Sequence, residues 1–251
     1  MLLAKEGASV LVHGRDLNGI NETVAECKSV STENAMFPYV QGDVMDENTL
    51  ANIKETAIKT FGRIDILVSN AGYYEPHDLT TGPMEAFDLE VKVMLRAPMH
   101  LSQLCFPALK QSGGNIVCTS DLYSTNATDI APFDSIVKAG LNMFVKCAAL
   151  EFGAQGVRVN AVCPGFVKNF NNLKNLGLSK EEQVELYSNC EKVVPIRKVG
   201  SVEETAKLIA FLASDDAAMM NGACVAQDGG HALIGLDKAT LENAAKVFIQ
   251  E

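Results

Sequence analysis

The stretch IDILVSNAG, residues 64–72, decides the fold class of this chain. An almost continuous apolar run ends there in a short turn, which is typical of a strand buried on both faces of a parallel sheet. Similar runs occur at residues 8–14, 35–44, 114–120, 157–165 and 222–230. Helical patterns separate them, at residues 16–30, 47–62, 84–96, 98–112, 131–153 and 201–213. This alternation predicts an α/β fold with a doubly wound parallel sheet.

The chain shows no internal repeat, no low-complexity linker and no break in composition, so we expect one domain over residues 1–251. Two segments depart from the strand–helix alternation. The long polar segment 167–195 is predicted to be a flap over the site or a helical excursion. The tail, residues 236–251, is predicted to form an amphipathic helix that packs on its own domain or on a neighbouring subunit.

Composition excludes several classes of protein. The formal net charge of −10 argues against nucleic acid as a partner, because such binding needs a basic surface. No apolar run approaches the roughly 20 residues that a membrane-spanning helix needs, and the first residues, MLLAKEGASV, lack the features of a signal peptide. Seven cysteines without a C-x-x-C pair and four scattered histidines predict a reduced, cytoplasmic protein without a metal site.

Five short motifs occur in a recognisable order. They are GDV (42–44), NAG (70–72), SIVKAGL (135–141), VRVNAVCPG (157–165) and DGG (228–230). With these motifs at this spacing, the chain resembles the short-chain dehydrogenase/reductase family over essentially its whole length. The resemblance implies a Rossmann-type fold, with a nicotinamide cofactor bound across the carboxyl ends of the strands.

The resemblance also implies which residues contact that cofactor. Asp43 is expected beside the adenine, and Val44 and Lys138 are also expected to bind the cofactor. The remaining expected contacts are Asn70, Ala71 and Gly72 at the same ribose, and Pro164 and Gly165 against the nicotinamide. The family's threonine after Pro–Gly falls on Asn169.

Arg15 bears on the choice of cofactor. Members of the family that prefer NAD carry an acid after the strand at 8–13, whereas this chain has Gly14 followed by Arg15. A guanidinium matches a 2′-phosphate as a charged, bidentate donor, which favours NADP(H). A solvated surface arginine is the other interpretation.

The family's catalytic residues are largely replaced. The resemblance implies a tyrosine four residues before Lys138, a serine thirteen residues before that, and an asparagine in the preceding helix. This chain has Asp134, Asp121 and Met94 at those positions. Because an ionised carboxylate cannot donate a proton, Asp134 is expected either to form a plain helix-surface ion pair with Lys138 or to be a solvated acid. A pair of carboxyls in which one stays protonated is the alternative.

The family's T-G-x-x-x-G-x-G loop and the strand before it have no counterpart, since MLLAKEGASV corresponds to the end of the following helix. The strands at 8–13 and 64–69 are expected to pair directly, or to have their gap filled by another segment, unless the natural protein starts upstream. Binding of NADP(H) is therefore expected to be doubtful, because this loop normally cradles the pyrophosphate.

These observations leave three hypotheses of function. The leading one is a catalytically impaired or inactive family member, retained for assembly as a homodimer or homotetramer through helices 98–112 and 131–153, or for binding another protein. The alternative is an NADP-dependent oxidoreductase acting on a carbonyl or alcohol, with a non-standard acid such as Tyr73 or Tyr123. A hydrolase or lyase using Asp121 and Asp134 is the third, although no histidine or metal ligand lies near them in sequence.

Overall fold

The computed structural model describes residues 1–31, 34–129, 131–169 and 178–234. Its strands follow the predicted order but are shorter than the apolar runs. They are β1 (Val12–Gly14), β2 (Tyr39–Gln41), β3 (Ile66–Ser69), β4 (Asn115–Thr119), β5 (Arg158–Pro164), β6 (Val167–Lys168), β7 (Gly200–Ser201) and β8 (Cys224–Gln227).

Helices connect these strands as the sequence predicted. They are α1 (Leu2–Lys5), α2 (Leu17–Val30), α3 (Glu47–Phe61), α4 (Met84–Val91), α5 (Ala97–Ser112), α6 (Pro132–Gly153), α7 (Lys180–Val193) and α8 (Val202–Ala213). A wider π-helical stretch, Lys92–Arg96, joins α4 to α5 within the predicted helix 84–96. Such stretches are common at functional sites.

Every strand pair among the described residues is parallel, and the largest sheet has the order β3-β4-β5-β8. Successive residues of β4, one of its two inner strands, face opposite sides of the sheet. Ile116 belongs to the core formed with α3, α5 and α6, whereas Val117 belongs to the core formed with α8. Both side chains are fully buried. Helices therefore cover both faces, which confirms the predicted doubly wound Rossmann-type sheet in a single domain.

Strands β1 and β2 form a separate two-stranded sheet. A cavity of about 1060 Å³ lies between this sheet and β3 and is lined by residues of both, including His13 and Leu67. Of the three alternatives for these strands, direct pairing of 8–13 with 64–69 is therefore not observed among the described residues. Helix α3 packs against both β2 and α5, and this packing holds the two sheets apart.

The segment 167–195 is a structured excursion where it is described. Strand β6 pairs with β7. Helix α7 begins with a capping box in which Ser179 and Glu182 each accept a hydrogen bond from the other's backbone N–H. Residues 170–177 of this segment and the predicted helical tail, 236–251, lie outside the described residues. None of the helices in the described part of the chain is long and apolar enough to cross a membrane.

Candidate active site

The carboxyl ends of β3, β4 and β5 meet at one edge of the four-stranded sheet, because these strands are parallel neighbours. This edge carries Asn70 after β3, Asp121 after β4 and Gly165 after β5. The first turns of α6 add Asp134 and Lys138. The sequence-predicted catalytic positions therefore lie around a single edge, where α/β folds bind their ligands.

Lys138 is nearly buried and points at the end of β4. Its ammonium Nζ donates a hydrogen bond to the backbone carbonyl oxygen of Thr119, at 3.0 Å. Only 8% of the residue is exposed. No ion pair joins Lys138 to Asp134 among the described residues, so the expected helix-surface ion pair is wrong. The reason is that α6 buries the face carrying both residues against β5 and the 3-10 helix that follows β4.

Asp134 is a buried carboxyl, with 6% of the residue exposed. Burial raises its pKa to about 9, and a hydrogen bond with the carboxyl of Asp121 and the negative charge of that group act in the same direction. Lys138 opposes this shift. Asp134 is therefore protonated at neutral pH, and the expectation of an ionised carboxylate at this position is corrected in favour of the carboxyl pair.

Asp121 has a different environment from Asp134. It stands before a short 3-10 helix, Leu122–Ser124, and its Oδ1 accepts a hydrogen bond from the backbone N–H of Ser124 at 2.9 Å. The two acids thus divide into a proton-bearing member, Asp134, and a hydrogen-bond-accepting member, Asp121.

Glu90 is a third buried acid, and the sequence analysis missed it. Only 1% of the residue is exposed, and its Oε2 has no hydrogen-bond partner. Burial and the charge of Glu75 raise its pKa to about 7, against the opposing charge of Lys138. The signal available in the sequence was an acidic residue, Glu90, within the largely apolar stretch FDLEVKVM of a predicted helix.

Met94 occupies the asparagine position but brings no polar group to the site. It is 2% exposed and packs with Val93 and Val137 in a small apolar cluster between the π-helical stretch and α6. Its role in the structure is packing, because a thioether is at most a weak hydrogen-bond acceptor.

Three tyrosines lie on the loops beside the acids. Tyr73 donates a hydrogen bond to Glu75. Tyr74, which the sequence analysis did not single out, has its pKa raised by burial and then by the charge of Asp134. Burial, with Tyr74 and Asp121 nearby, also raises the pKa of Tyr123. These phenols stay protonated at neutral pH, and Tyr73 also lines the cavity between the two sheets.

The residues predicted to contact the adenine and the ribose line the cavity between the two sheets. They are Arg15, Asp43, Val44, Asn70, Ala71 and Gly72. The Arg15 Nη1 lies 3.8 Å from Asp43 Oδ2. Pro164 and Gly165 lie at the end of β5, where a side chain on Gly165 would stand 2.8 Å from Asp228.

Two buried hydroxyls at the strand ends provide a test of whether this region suits a polar ligand. The Oγ of Ser69, at the end of β3, and the Oγ1 of Thr119, at the end of β4, have no hydrogen-bond partner in the protein. Buried polar atoms normally find a partner. The unpartnered hydroxyls, the cavity volume and the guanidinium of Arg15 fit a nucleotide cofactor at this edge. No cluster of metal-ligating side chains was found among the described residues.

Comparison with known proteins bears on the activity. A family model described as Enoyl-(Acyl carrier protein) reductase matches residues 1–232. The chain is 29% identical to 3-oxoacyl-[acyl-carrier-protein] reductase FabG of Thermotoga maritima, over 92% of this chain and 90% of the relative. It is 30% identical to L-rhamnose 1-dehydrogenase (NAD(P)(+)) of a Sphingomonas species, over 90% of this chain and 87% of the relative.

A solved structure supports the same assignment. A short-chain dehydrogenase/reductase of unknown function from Caenorhabditis elegans, determined with its cofactor, matches with a TM-score of 0.86 at 29% identity, covering 93% of this chain and 89% of that one. The leading expectation of a catalytically inactive protein is therefore wrong, because relatives that span nine-tenths of the chain are oxidoreductases. The doubt about cofactor binding likewise finds no support.

Proposed function

The chain belongs to the short-chain dehydrogenase/reductase family, and we propose that it is an NAD(P)-dependent oxidoreductase that interconverts a carbonyl and an alcohol with Asp134 as its acid and base. The observation that carries this proposal is the hydrogen-bonded pair of Asp134 and Asp121 beside Lys138, at the carboxyl edge of the sheet. The finer part of the proposal is that this chain is a divergent member, with a carboxyl pair replacing the tyrosine and serine and without the glycine-rich loop in the residues given.

The cofactor would be held by residues that line the cavity between the two sheets, with Arg15 and Asp43 at its adenosine end and Asn70 to Gly72 at the ribose. Pro164–Gly165, at the end of β5, would contact the nicotinamide. An exposed ion pair contributes only about 0–1 kcal/mol, so Arg15 can leave Asp43 to bind a 2′-phosphate, and we propose a preference for NADP(H). A bound nicotinamide supplies or accepts the hydride; the protein supplies the proton.

Asp134 moves that proton. In the direction of reduction, the protonated carboxyl donates to the substrate oxygen; in the direction of oxidation, the carboxylate receives the proton back. Asp121 orients Asp134 through the hydrogen bond between the two carboxyls and is itself held by the Ser124 backbone N–H. Positioned acid–base groups of this kind contribute about 10²–10⁴ in rate.

Helices α5 and α6 support the proposal that two copies of the chain pair. Large apolar side chains are exposed on both helices, among them Met99 on α5 and Ile136, Met143 and Leu150 on α6. Leu150 is 81% exposed. Exposed apolar side chains grouped on neighbouring helices are typical of an interface, and a homodimer or homotetramer would cover them. Size measurement in solution tests this.

The proposed activity is tested by titrating the protein with NADPH and, separately, with NADH while following the fluorescence of the reduced nicotinamide. We expect saturable binding that is tighter for NADPH. Oxidation of the bound cofactor is then followed in the presence of a panel of ketones and aldehydes. Absence of both binding and turnover would reject the oxidoreductase.

A further inference from the structure

Strand β1 has an edge that faces the cavity between the two sheets. The backbone N–H of Val12 donates to the carbonyl oxygen of Pro38, and the N–H of Gly42 donates to that of Gly14, both on the side of β2. Alternate residues of a parallel strand direct their backbone groups to opposite neighbours, so those of His13 point away from β2. His13 lines the cavity, and β2 is the one strand that pairs with β1 in the described part of the chain.

Strand β3 presents a matching edge from the other side of the cavity. The backbone N–H of Asn115 in β4 donates to the carbonyl oxygen of Asp65, just before β3, at 2.8 Å. The backbone groups of Ile66 and Val68 therefore point away from β4, and both residues line the cavity. Within the described ranges, β4 is the one strand that pairs with β3. Exposed strand edges of this kind are templates for a further strand.

The inner part of this cavity has apolar walls on both faces of the sheets. Helices α3 and α5 contribute to the core on one face, and α8 contributes to the core on the other. Apolar side chains from α1, α3, α5 and α8 line the space, among them Leu3, Leu50, Ile53, Leu101 and Ile209. The polar residues proposed to hold the cofactor lie instead after the carboxyl ends of the strands.

An unfilled apolar cavity destabilises a fold in proportion to its volume. For a cavity of about 1060 Å³, this cost exceeds the net stability of a typical domain. A nucleotide at the carboxyl ends of the strands does not fill the apolar part between them. The gap therefore requires an occupant that is apolar on both faces and hydrogen-bonds along both edges, which are the properties of a buried strand.

The chain contains a sequence of this character beyond the described residues. Seventeen residues follow Ile234, and their one continuous apolar run is the VFI of KVFIQ (246–250), which is β-branched and aromatic. We propose that residues 246–250 occupy the gap as a strand parallel to β1 and β3 and thereby join the two sheets into one. The amphipathic pattern predicted for the tail then belongs to residues 236–245.

The described chain ends close to this gap. The side chain of Asn126, on the loop after β4, donates a hydrogen bond to the carbonyl oxygen of Ala232 at 2.7 Å. Since β4 is the neighbour of β3, the chain leaves the sheet roughly two strand spacings, about 10 Å, from the gap.

The connection has the length that the proposed strand needs. Parallel strands require a connection of a dozen or more residues, usually with a helix, and residues 228–245 between β8 and the proposed strand number 18. A helix of ten residues is about 15 Å long, which returns the chain along a strand of four or five residues. Own-chain insertion is therefore within reach without a second copy.

Hydrogen exchange of individual backbone amides, followed by NMR in the full chain, tests the proposal. The amides of residues 247–249 should exchange at least about 100-fold more slowly than in an unstructured peptide, and those of His13, Ile66 and Val68 should be protected to a similar extent. Fast exchange at 247–249 would overturn the inference. The proposed function would stand in that case, because it is measured separately by cofactor binding and turnover.

Phe248→Asp tests whether the segment covers these edges. A carboxylate between apolar walls is strongly unfavourable, so the amides of His13, Ile66 and Val68 should exchange at least about tenfold faster in this variant. The amide of Asn115, which is bonded within the larger sheet, should keep its protection. Asn243→Asp adds the same charge outside the apolar run and should change nothing. Unchanged exchange in Phe248→Asp, or an equal loss in Asn243→Asp, would overturn the inference.

A synthetic peptide with the sequence of residues 246–251, KVFIQE, shows whether the gap is filled in the wild-type protein. The peptide should bind Phe248→Asp at least about tenfold more tightly than the wild type, in which the chain's own segment excludes it. Equal binding to both proteins would mean that the gap is open and would contradict the proposal. Protection of residues 247–249 that falls on dilution of the wild-type protein would assign the segment to a second copy, which would also overturn it.

Discussion

The four-stranded and two-stranded sheets arise from similar apolar runs but differ in burial. In β4, Ile116, Val117 and Cys118 are all fully buried, whereas each residue of β1 is only half-buried. Helices cover both faces of the larger sheet, while β1 borders the cavity. The proposed proton-transfer groups thus stand on the more buried sheet, whereas the proposed cofactor contacts are divided between the two sheets, with Arg15, Asp43 and Val44 beside the less buried one.

Asp134→Asn is expected to have the largest effect of the variants described. It should remove proton transfer at the four-stranded sheet and leave cofactor binding intact. An amide fills the same space but cannot return the proton, so kcat/KM should fall by about 10³. The affinity for NADPH should be unchanged, because Asp134 is not among the proposed contacts of the cofactor. Steady-state kinetics and cofactor titration measure the two quantities. Asp88→Asn, at an exposed position of α4, is the control, and full activity of Asp134→Asn would contradict the assigned acid.

The same truncation made in both sheets measures their difference in stability. Val117→Ala in β4 removes fully buried surface and should lower the free energy of unfolding by about 2 kcal/mol. Val12→Ala in β1 should cost less than about 1 kcal/mol, because Val12 is half-buried beside a cavity. Urea unfolding of the two variants makes the comparison, and equal losses would show that the two sheets are equally well packed.

The buried acids should make stability depend on pH. Asp134 and Glu90 have raised pKa values, about 9 and about 7, so the folded protein binds more protons than the unfolded chain above the pKa of an ordinary carboxyl. Their contribution is complete in acid and is lost as pH rises through about 7 for Glu90 and about 9 for Asp134, at up to roughly 1.4 kcal/mol per pH unit for each acid that is protonated in the folded protein and ionised in the unfolded chain. Urea unfolding at pH 5 to 8 measures this slope. If the stability of the wild-type protein depends on pH no more steeply than that of the Asp134→Asn, Glu90→Gln double variant, the raised pKa values of these two acids are refuted.

Arg15→Gln should have the smallest effect, which is a loss of affinity for the cofactor at the two-stranded sheet. Loss of the guanidinium should weaken NADPH binding by roughly fivefold, because an exposed charge pair contributes little, and should leave NADH binding unchanged. Fluorescence titration with both cofactors checks this, with Lys28→Gln on the exposed face of α2 as the control. An equal loss for both cofactors would mean that Arg15 does not contact the 2′-phosphate.

Much of the fold could be predicted because it depends on local patterns. The apolar runs and the glycines that end helices, such as Gly62 and Gly113 with positive φ, marked the elements to within a few residues. The position of the site followed from strand ends that share an edge. The protonation of Asp134 could not be predicted, because it depends on burial and on Asp121, which lies 13 residues away in the chain.

The sequence by itself determined the strand and helix order, the parallel doubly wound sheet and the identities of Asp121, Asp134 and Lys138 at the family's catalytic positions, because these depend on residue types and spacing. Only the tertiary structure decided their chemistry. Lys138 bonds to the end of β4, Asp134 is buried with a proton, and Glu90 joins them from another helix. The physical reason is that the proton affinity of a carboxyl depends on its solvation and on neighbouring charges, and those are set by packing between distant segments.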